Sequence, residues 1–243
     1  MNIVVLMGSP DIDFEEKHGF PKMLYEINAV PLIQRFIESC KNLFDDANEV
    51  TFVIRKEHNK KYYLGNIIKL LFSESKIVEL EGDTQGAACS TLMAIEYINS
   101  DEELFVISGD EIVDLDFSEV RRFFAKSRAD GGVVTFHSVH PRFSYVRCTD
   151  DNIVTEAAEK RPISNNATVG YYYFAKGSDC IDSIEKMIIK ETTVNGLYYL
   201  CPSYNEMILN GKEIKAYPID KRDYHPLKSE ETIKEYGRFL EEK

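Results

Sequence analysis

Apolar positions along this chain recur in two alternating periods. Asn2–Met7 (NIVVLM) is a nearly unbroken apolar run and predicts a buried strand. Leu32, Ile33, Phe36, Ile37, Cys40 and Leu43 then fall at helical spacing, with Pro31 placed to open the helix. Glu49–Arg55 and Lys76–Leu80 predict two more strands, with a helix over 63–72 between them. Gln85-Gly86-Ala87-Ala88 opens a further helix carried on by Leu92, Ile95 and Ile98. Leu104-Phe105-Val106-Ile107 is a fully apolar strand that stops at Ser108-Gly109-Asp110. A helix over Phe117–Ser127 and a strand over 131–138 follow. Such alternation predicts an α/β fold, a mainly parallel sheet flanked by helices on both faces.

Beyond Phe143 the texture changes. Ser144–Cys148 and 153–158 flank Thr149-Asp150-Asp151-Asn152, which reads as the turn of a β-hairpin. A strand over 167–175, helices over 178–189 and 202–210, a strand over 213–218 and a closing helix over 229–242 complete the pattern. Ser229 is placed to cap that helix, with Glu230 and Glu231 in its first turn. No repeat, low-complexity stretch or linker interrupts the 243 residues, so the expectation is a single domain over 1–243 whose second half turns antiparallel and makes the sheet mixed.

Composition narrows the function classes. A formal net charge of −12 argues against a nucleic-acid partner, because phosphate neutralisation needs clustered Lys and Arg. The apolar runs are too short to span a bilayer and residues 1–25 lack a secretory pattern, so the expectation is no membrane association and a cytoplasmic location. Cys40, Cys89, Cys148, Cys180 and Cys201 are widely spaced with no C-x-x-C pair, which fits free thiols in a reducing compartment. Oligomeric state stays open.

Two places carry candidate chemistry. A strand ending in Gly-Asp puts Asp110 at a carboxyl edge, where open α/β sheets hold ligands and where a carboxylate can hold a phosphate-bound divalent cation; capping the next turn is the bland reading. Gly8-Ser9, directly after the first strand, can bring backbone N–H groups to a phosphate, and Lys22 adds a point charge. His137 and His140 lack a third ligand at a diagnostic spacing and read as strand-end histidines. Tyr198, Tyr199, Tyr204 and Asn205 suit a pocket or simple packing equally well.

Gly8, Pro21-Lys22-Met23-Leu24 and Pro31-Leu32-Ile33 resemble the opening of the sugar-phosphate nucleotidyltransferases. Thr84-Gln85-Gly86, Gly109-Asp110, Glu159-Lys160-x-Pro162 and Gly170 follow in the same order as in that family, across nearly the whole chain. The resemblance implies a GT-A-like, Rossmann-like fold with a nucleotide-binding half (1–140) and an acceptor-binding half (141–243). It implies catalytic roles for Lys22 and Asp110, and nucleotide contacts from Gly8, Ser9, Gln85, Gly86 and Lys22. Glu159, Lys160 and Gly170 would face the acceptor, and Asp110 with Asp223 would hold Mg²⁺. The implied partners are a nucleoside triphosphate, with CTP or UTP favoured, and a sugar 1-phosphate or similar phosphate monoester, including a choline-like alcohol phosphate. The product would feed cell-surface polysaccharide synthesis.

The chain departs from the family pattern in two places. Where the family loop carries Gly-x-Arg, this chain has Pro10-Asp11-Ile12-Asp13, so Asp13 stands where a cation grips the triphosphate. Lys17 is one substitute cation, and an acidic loop that recruits a second metal is another solution. Late in the chain the metal-binding Asp maps onto Asp223-Tyr224-His225, where His225 is a poor Mg²⁺ ligand. A nucleotide-sugar-dependent glycosyltransferase is the rival reading, although Asp110-Glu111-Ile112-Val113-Asp114 lacks Asp-x-Asp spacing. A non-catalytic nucleotide-binding relative is the third.

Overall fold

The computed structural model describes residues 1–10 and 12–242. Strand β1 (Asn2–Met7) leads into helix α1 (Ile12–His18), a 3-10 turn at Lys22–Leu24, and a small ribbon of β2 (Glu26–Ile27) and β3 (Val30–Pro31). Helices α2 (Leu32–Ser39) and α3 (Lys41–Asp45) precede β4 (Glu49–Arg55), α4 (Lys56–Tyr62), α5 (Leu64–Leu71) and β5 (Lys76–Leu80). Then come α6 (Ala87–Leu92), α7 (Ile95–Ile98), β6 (Leu104–Ser108), β7 (Glu111–Val113), α8 (Phe117–Ser127) and β8 (Gly131–His137). The chain ends with β9 (Ser144–Cys148), β10 (Val154–Glu159), β11 (Asn166–Phe174), α9 (Gly177–Ile189), α10 (Ser203–Leu209), β12 (Ile214–Ile219), β13 (Tyr224–Pro226) and α11 (Glu230–Glu242).

Among the described residues one mixed sheet of nine strands runs β10-β9-β11-β6-β1-β4-β5, with β8 beside β11 and β12 beside β8. β1, β4, β5 and β6 are mutually parallel, and β12 runs parallel to β8; β9, β10 and β11 supply the antiparallel pairs, including β11 against β6. Side chains on each strand alternate between two cores. Ile3, Val5, Phe52, Ile54, Phe105 and Ile107 enter the core under α2, α3, α5, α8 and α11. Val4, Val53, Leu104 and Val106 enter the opposite core under α6, α7, α9 and α10. That strict period of two, with both faces apolar, is why these strands read as continuous hydrophobic runs.

Local chemistry sets the helix ends. The expected helix from Leu32 onward breaks at Cys40 (φ −94°, ψ 3°) into α2 and α3, and Leu43 and Phe44 still reach the same core. The expected 85–98 helix likewise breaks after Leu92 into α6 and α7. Asp116 caps α8 by accepting from the Ser118 N–H at 2.9 Å. Ser229 caps α11 as its sequence position predicts: its Oγ accepts from the Thr232 N–H at 3.3 Å, and its own N–H donates to Thr232 Oγ1 at 3.1 Å. The sequence pattern gave no warning of α1 or of the β7–β13 ribbon. The ribbon joins residues 111–113 to residues 224–226 antiparallel, with Pro226 opposite Glu111.

After β1 the chain builds outward on one side through β4 and β5, then returns to place β6 on the other side of β1. The strand order therefore reverses between β1 and β6, and the crevice at the carboxyl ends of these two strands is where such sheets bind ligands.

Candidate active site

Gly8-Ser9 and Ser108-Gly109-Asp110 lie side by side at that reversal. The Gly109 N–H donates to the Leu6 carbonyl at 2.9 Å, so the two strand ends are stitched together. The 3-10 turn after α1 brings Lys22 back over this edge, where Nζ meets Asp110 Oδ1 at 3.0 Å with only 7% of the lysine side chain exposed. A burial this deep requires a paired ammonium, and Asp110 supplies the countercharge. Two cavities open beside the pair.

The first, about 360 Å³, is lined by Ser9, Ala87 and Asp110 together with Glu159, Lys160 and Gly170. The second, about 550 Å³, is lined by Asp13, Lys17, Lys22, Lys228 and Glu230, together with apolar side chains of the α1 segment. The structure thus brings Lys22, Asp110, Ser9, Glu159, Lys160 and Gly170 into one connected region.

Gln85 and Gly86 stand directly before Ala87. Gly86 has φ +109°, and a Cβ there would collide with the Tyr198 carbonyl, so only glycine fits. The Tyr198 N–H donates to the Gln85 carbonyl at 2.8 Å, and the Ala88 N–H donates to the Tyr198 carbonyl at 3.1 Å. Tyr199, next in sequence, lines the first cavity. Its hydroxyl accepts from Lys160 Nζ at 2.6 Å, and the same ammonium lies 4.8 Å from the Tyr199 ring centroid. Tyr204 and Asn205 belong to packing instead: the Tyr204 hydroxyl donates to the Gly132 and Tyr173 carbonyls, and Asn205 clamps the Ala157 backbone.

Glu159 ends β10 with 8% exposure and accepts from Ser144 Oγ. Burial pushes its carboxyl up, and Ser144, Lys160 and Lys228 offset part of that. Gly170 (φ +74°) sits where β11 breaks register against β8, a glycine bulge that makes room for Glu111: a Cβ there would lie 2.7 Å from Glu111 Oε2.

Glu111 and Lys228 are functional candidates that the sequence reading passed over. Glu111 is 2% exposed, and its Oε1 meets Lys228 Nζ at 2.5 Å while Oε2 is buried without a hydrogen-bond partner. Burial pushes the Glu111 carboxyl up and Lys228 partly offsets it. Withdrawal from water works against the Lys228 charge, but Glu111, Asp110 and Glu159 outweigh it and hold that ammonium above the usual lysine range. Adjacent acid in Gly-Asp-Glu and a lysine after His225-Pro226-Leu227 were the available signals, but only the ribbon joins them.

Asp223 does not reach this crevice. Along the ribbon the Leu227 N–H donates to the Asp110 carbonyl and the Asp114 N–H to the Asp223 carbonyl, four residues away, or roughly 13 Å along an antiparallel strand. Asp223 lines neither cavity. A shared ion with Asp110 therefore does not fit, and among the described residues no group of three His, Cys, Asp or Glu side chains could hold a metal. Asp110 alone would then be left to hold a phosphate-bound Mg²⁺. Asp11 of the first loop lies outside the described residues; Asp13 lines the second cavity with Lys17, Lys22 and Lys228, and Lys17 and His18 are tied to Glu230 at the start of α11.

Comparison with known proteins decides the family. The profile described as nucleotidyl transferase matches residues 17–214. This chain belongs to that family. Bifunctional protein GlmU of Thermosipho melanesiensis is 25% identical over 190 residues, which is 74% of this chain and 38% of GlmU, so the chain spans about two fifths of that relative's length. The crystal structure of a nucleoside-diphosphate-sugar pyrophosphorylase from Vibrio cholerae RC9 superposes with a TM-score of 0.84 at 19% identity, covering 98% of this chain and 100% of that one. A UDP-glucose pyrophosphorylase crystallised with UDP-glucose gives 0.77 at 16% identity, covering 99% and 98%. At these identities the two structures speak for the fold, and it is the GT-A-like, mainly parallel nucleotidyltransferase fold expected from the sequence. Among the described residues no helix is long and apolar enough to cross a membrane.

Proposed function

We propose that this protein joins a nucleoside triphosphate to a sugar 1-phosphate or a similar phosphate monoester and releases pyrophosphate. The observation that carries the reading is the Lys22–Asp110 pair at the strand reversal, set between a cavity of mixed lining and a lysine-rich one. The relatives' names, a nucleoside-diphosphate-sugar pyrophosphorylase and a UDP-glucose pyrophosphorylase, support the same reaction class.

An oxygen of the acceptor phosphate attacks the α-phosphorus, the bond to the β-phosphate oxygen breaks, and its electron pair leaves with pyrophosphate. The attacking group is already anionic, so no side-chain nucleophile or strong base is needed; alignment and charge neutralisation do the work. The Gly8-Ser9 turn and the Gln85-Gly86 loop border the nucleotide, and Lys22 exchanges Asp110 for a phosphate oxygen. Glu159 accepts from acceptor hydroxyls, Lys160 meets the acceptor phosphate, and Gly170 leaves the wall open beside them. Asp110 would hold Mg²⁺, which when bound neutralises phosphate charge. CTP and UTP remain the favoured triphosphates, and a precursor for cell-surface polysaccharide the favoured product.

The test is a pyrophosphate-release screen of four nucleoside triphosphates against a panel of sugar 1-phosphates and alcohol phosphates with Mg²⁺. Acceptor-dependent release is expected for at least one pair. Triphosphate binding without release from any pair overturns the enzymatic reading in favour of a nucleotide sensor, and sugar transfer from a nucleotide sugar without release favours a glycosyltransferase.

A further inference from the structure

From the position of one side chain we infer that Lys228 is a further catalytic residue, the cation that meets the reacting phosphates where the two cavities join. Among the described residues Lys228 alone lines both cavities. On one side it shares the wall with Lys160 and Glu159, on the other with Lys22 and Lys17. The inference rests on the nucleotidyltransfer reading: an in-line displacement puts the attacking phosphate on one side of the α-phosphorus and the departing pyrophosphate on the other. The α-phosphate must then sit at the junction, and the junction is where this ammonium projects.

The surroundings hold the lysine there. Its Nζ is anchored on Glu111 Oε1 at 2.5 Å, yet half the Lys228 side chain is exposed while Glu111 is almost wholly buried. Glu111 in turn fills the space left by the missing Cβ of Gly170, and its backbone is fixed by pairing with Pro226 across the ribbon. A buried carboxylate beneath the tip of a half-exposed side chain pins the ammonium at the cavity wall. Glu111 is accordingly a positioning residue, acting through Lys228. In the reaction the oxygen–phosphorus bond forms on the acceptor side and the bond to the leaving oxygen breaks. Lys228 stays protonated and neutralises the non-bridging oxygens throughout, offsetting the repulsion between two phosphates that Asp13 would otherwise aggravate.

The experiment compares Lys228→Gln, Lys228→Arg and the charge-balanced double variant Lys228→Gln/Glu111→Gln with the wild type in steady-state pyrophosphate release, after circular dichroism and thermal melting establish folding. The double variant leaves no unpaired buried carboxylate, so its folding does not depend on the lysine. Loss of one preorganised charge at the reacting centre predicts a kcat lower by about 100-fold in both glutamine variants. KM values for triphosphate and acceptor should move by less than about fivefold, and Lys228→Arg should recover at least about tenfold of the loss, a pattern that a merely structural role would not produce. A folded double variant turning over within about threefold of wild type overturns the inference, as does a loss confined to KM. Wild-type protein that releases no pyrophosphate from any pair overturns the underlying reading, and this inference with it.

Discussion

Replacing Gly170 by alanine tests the packing that shapes the first cavity. Gly170 holds φ +74°, a left-handed backbone that costs an L-residue about 1–2 kcal/mol. The added methyl would also stand 2.7 Å from Glu111 Oε2, 3.1 Å from Ser108 Cβ and 3.2 Å from Glu111 Cδ. The Glu111 carboxylate cannot retreat without leaving Lys228, so the methyl overpacks a filled site, a cost of about 1–3 kcal/mol. Together Gly170→Ala should destabilise the fold by about 2–5 kcal/mol. At about 2–4 °C per kcal/mol for a chain of this size, the melting temperature should fall by roughly 4–20 °C. Urea unfolding followed by two probes gives the free energy, and repeating the substitution in a Glu111→Ala background separates the two causes. There the clash with Glu111 disappears, and the backbone cost of about 1–2 kcal/mol remains together with the tight contact on Ser108 Cβ. A Gly170→Ala protein within about 0.5 kcal/mol of wild type refutes the reasoning; an equal cost in both backgrounds refutes the claim that Glu111 is the obstacle.

Lys22→Ala and Asp110→Ala should each lower kcat for pyrophosphate release by well over about tenfold with the fold retained by circular dichroism; wild-type rates in either would remove that residue from the mechanism. Gly86→Ala, which forces a side chain against the Tyr198 carbonyl at φ +109°, should destabilise the protein by about 2 kcal/mol and weaken triphosphate binding in calorimetry, and unchanged values for both would contradict the close approach. Glu159 carries a carboxyl raised by burial, so its ionisation costs the folded state: the stability of Glu159→Gln relative to wild type should grow as pH climbs past the unfolded carboxylate range, about 4.3, and level off above the folded value. Melting curves across that range that stay parallel would sink the assignment. Cys40, Cys180 and Cys201 are buried, and burial pushes Cys40 and Cys148 up to about 11, so a limiting thiol reagent near neutral pH should label Cys89 first; mass spectrometry that finds Cys201 modified in folded protein would contradict this.

The parts of the fold legible from sequence were those whose burial is complete. β1, β4 and β6 are apolar on both faces, and their runs end where their register with one another ends. The hairpin of β9 and β10 could be read because its acidic turn separates two segments that pair as written. Elements of three residues escaped: β7 and β13 carry no period, and their partnership exists only because distant segments meet. α1 buries none of its side chains, so no apolar face marked it. At the site, Lys22, Asp110, Glu159 and Lys160 stood out by motif. Glu111 and Lys228 did not, since each reads as an ordinary surface charge until the ribbon sets one upon the other. Asp223 stood out by its place in the family pattern; the backbone of the ribbon carries it away from Asp110.

The two hydrogen bonds between the Gln85–Ala88 segment and Tyr198 have a practical consequence for redesign. Transplanting residues 84–88 from a homologue, in the hope of swapping one pyrimidine for another, would drag the peptide that carries Tyr199 and with it the seat of Lys160. On the proposed roles, base preference and acceptor preference would not be interchangeable cassettes in this scaffold, and a graft that moves one without residues 197–199 should spoil both.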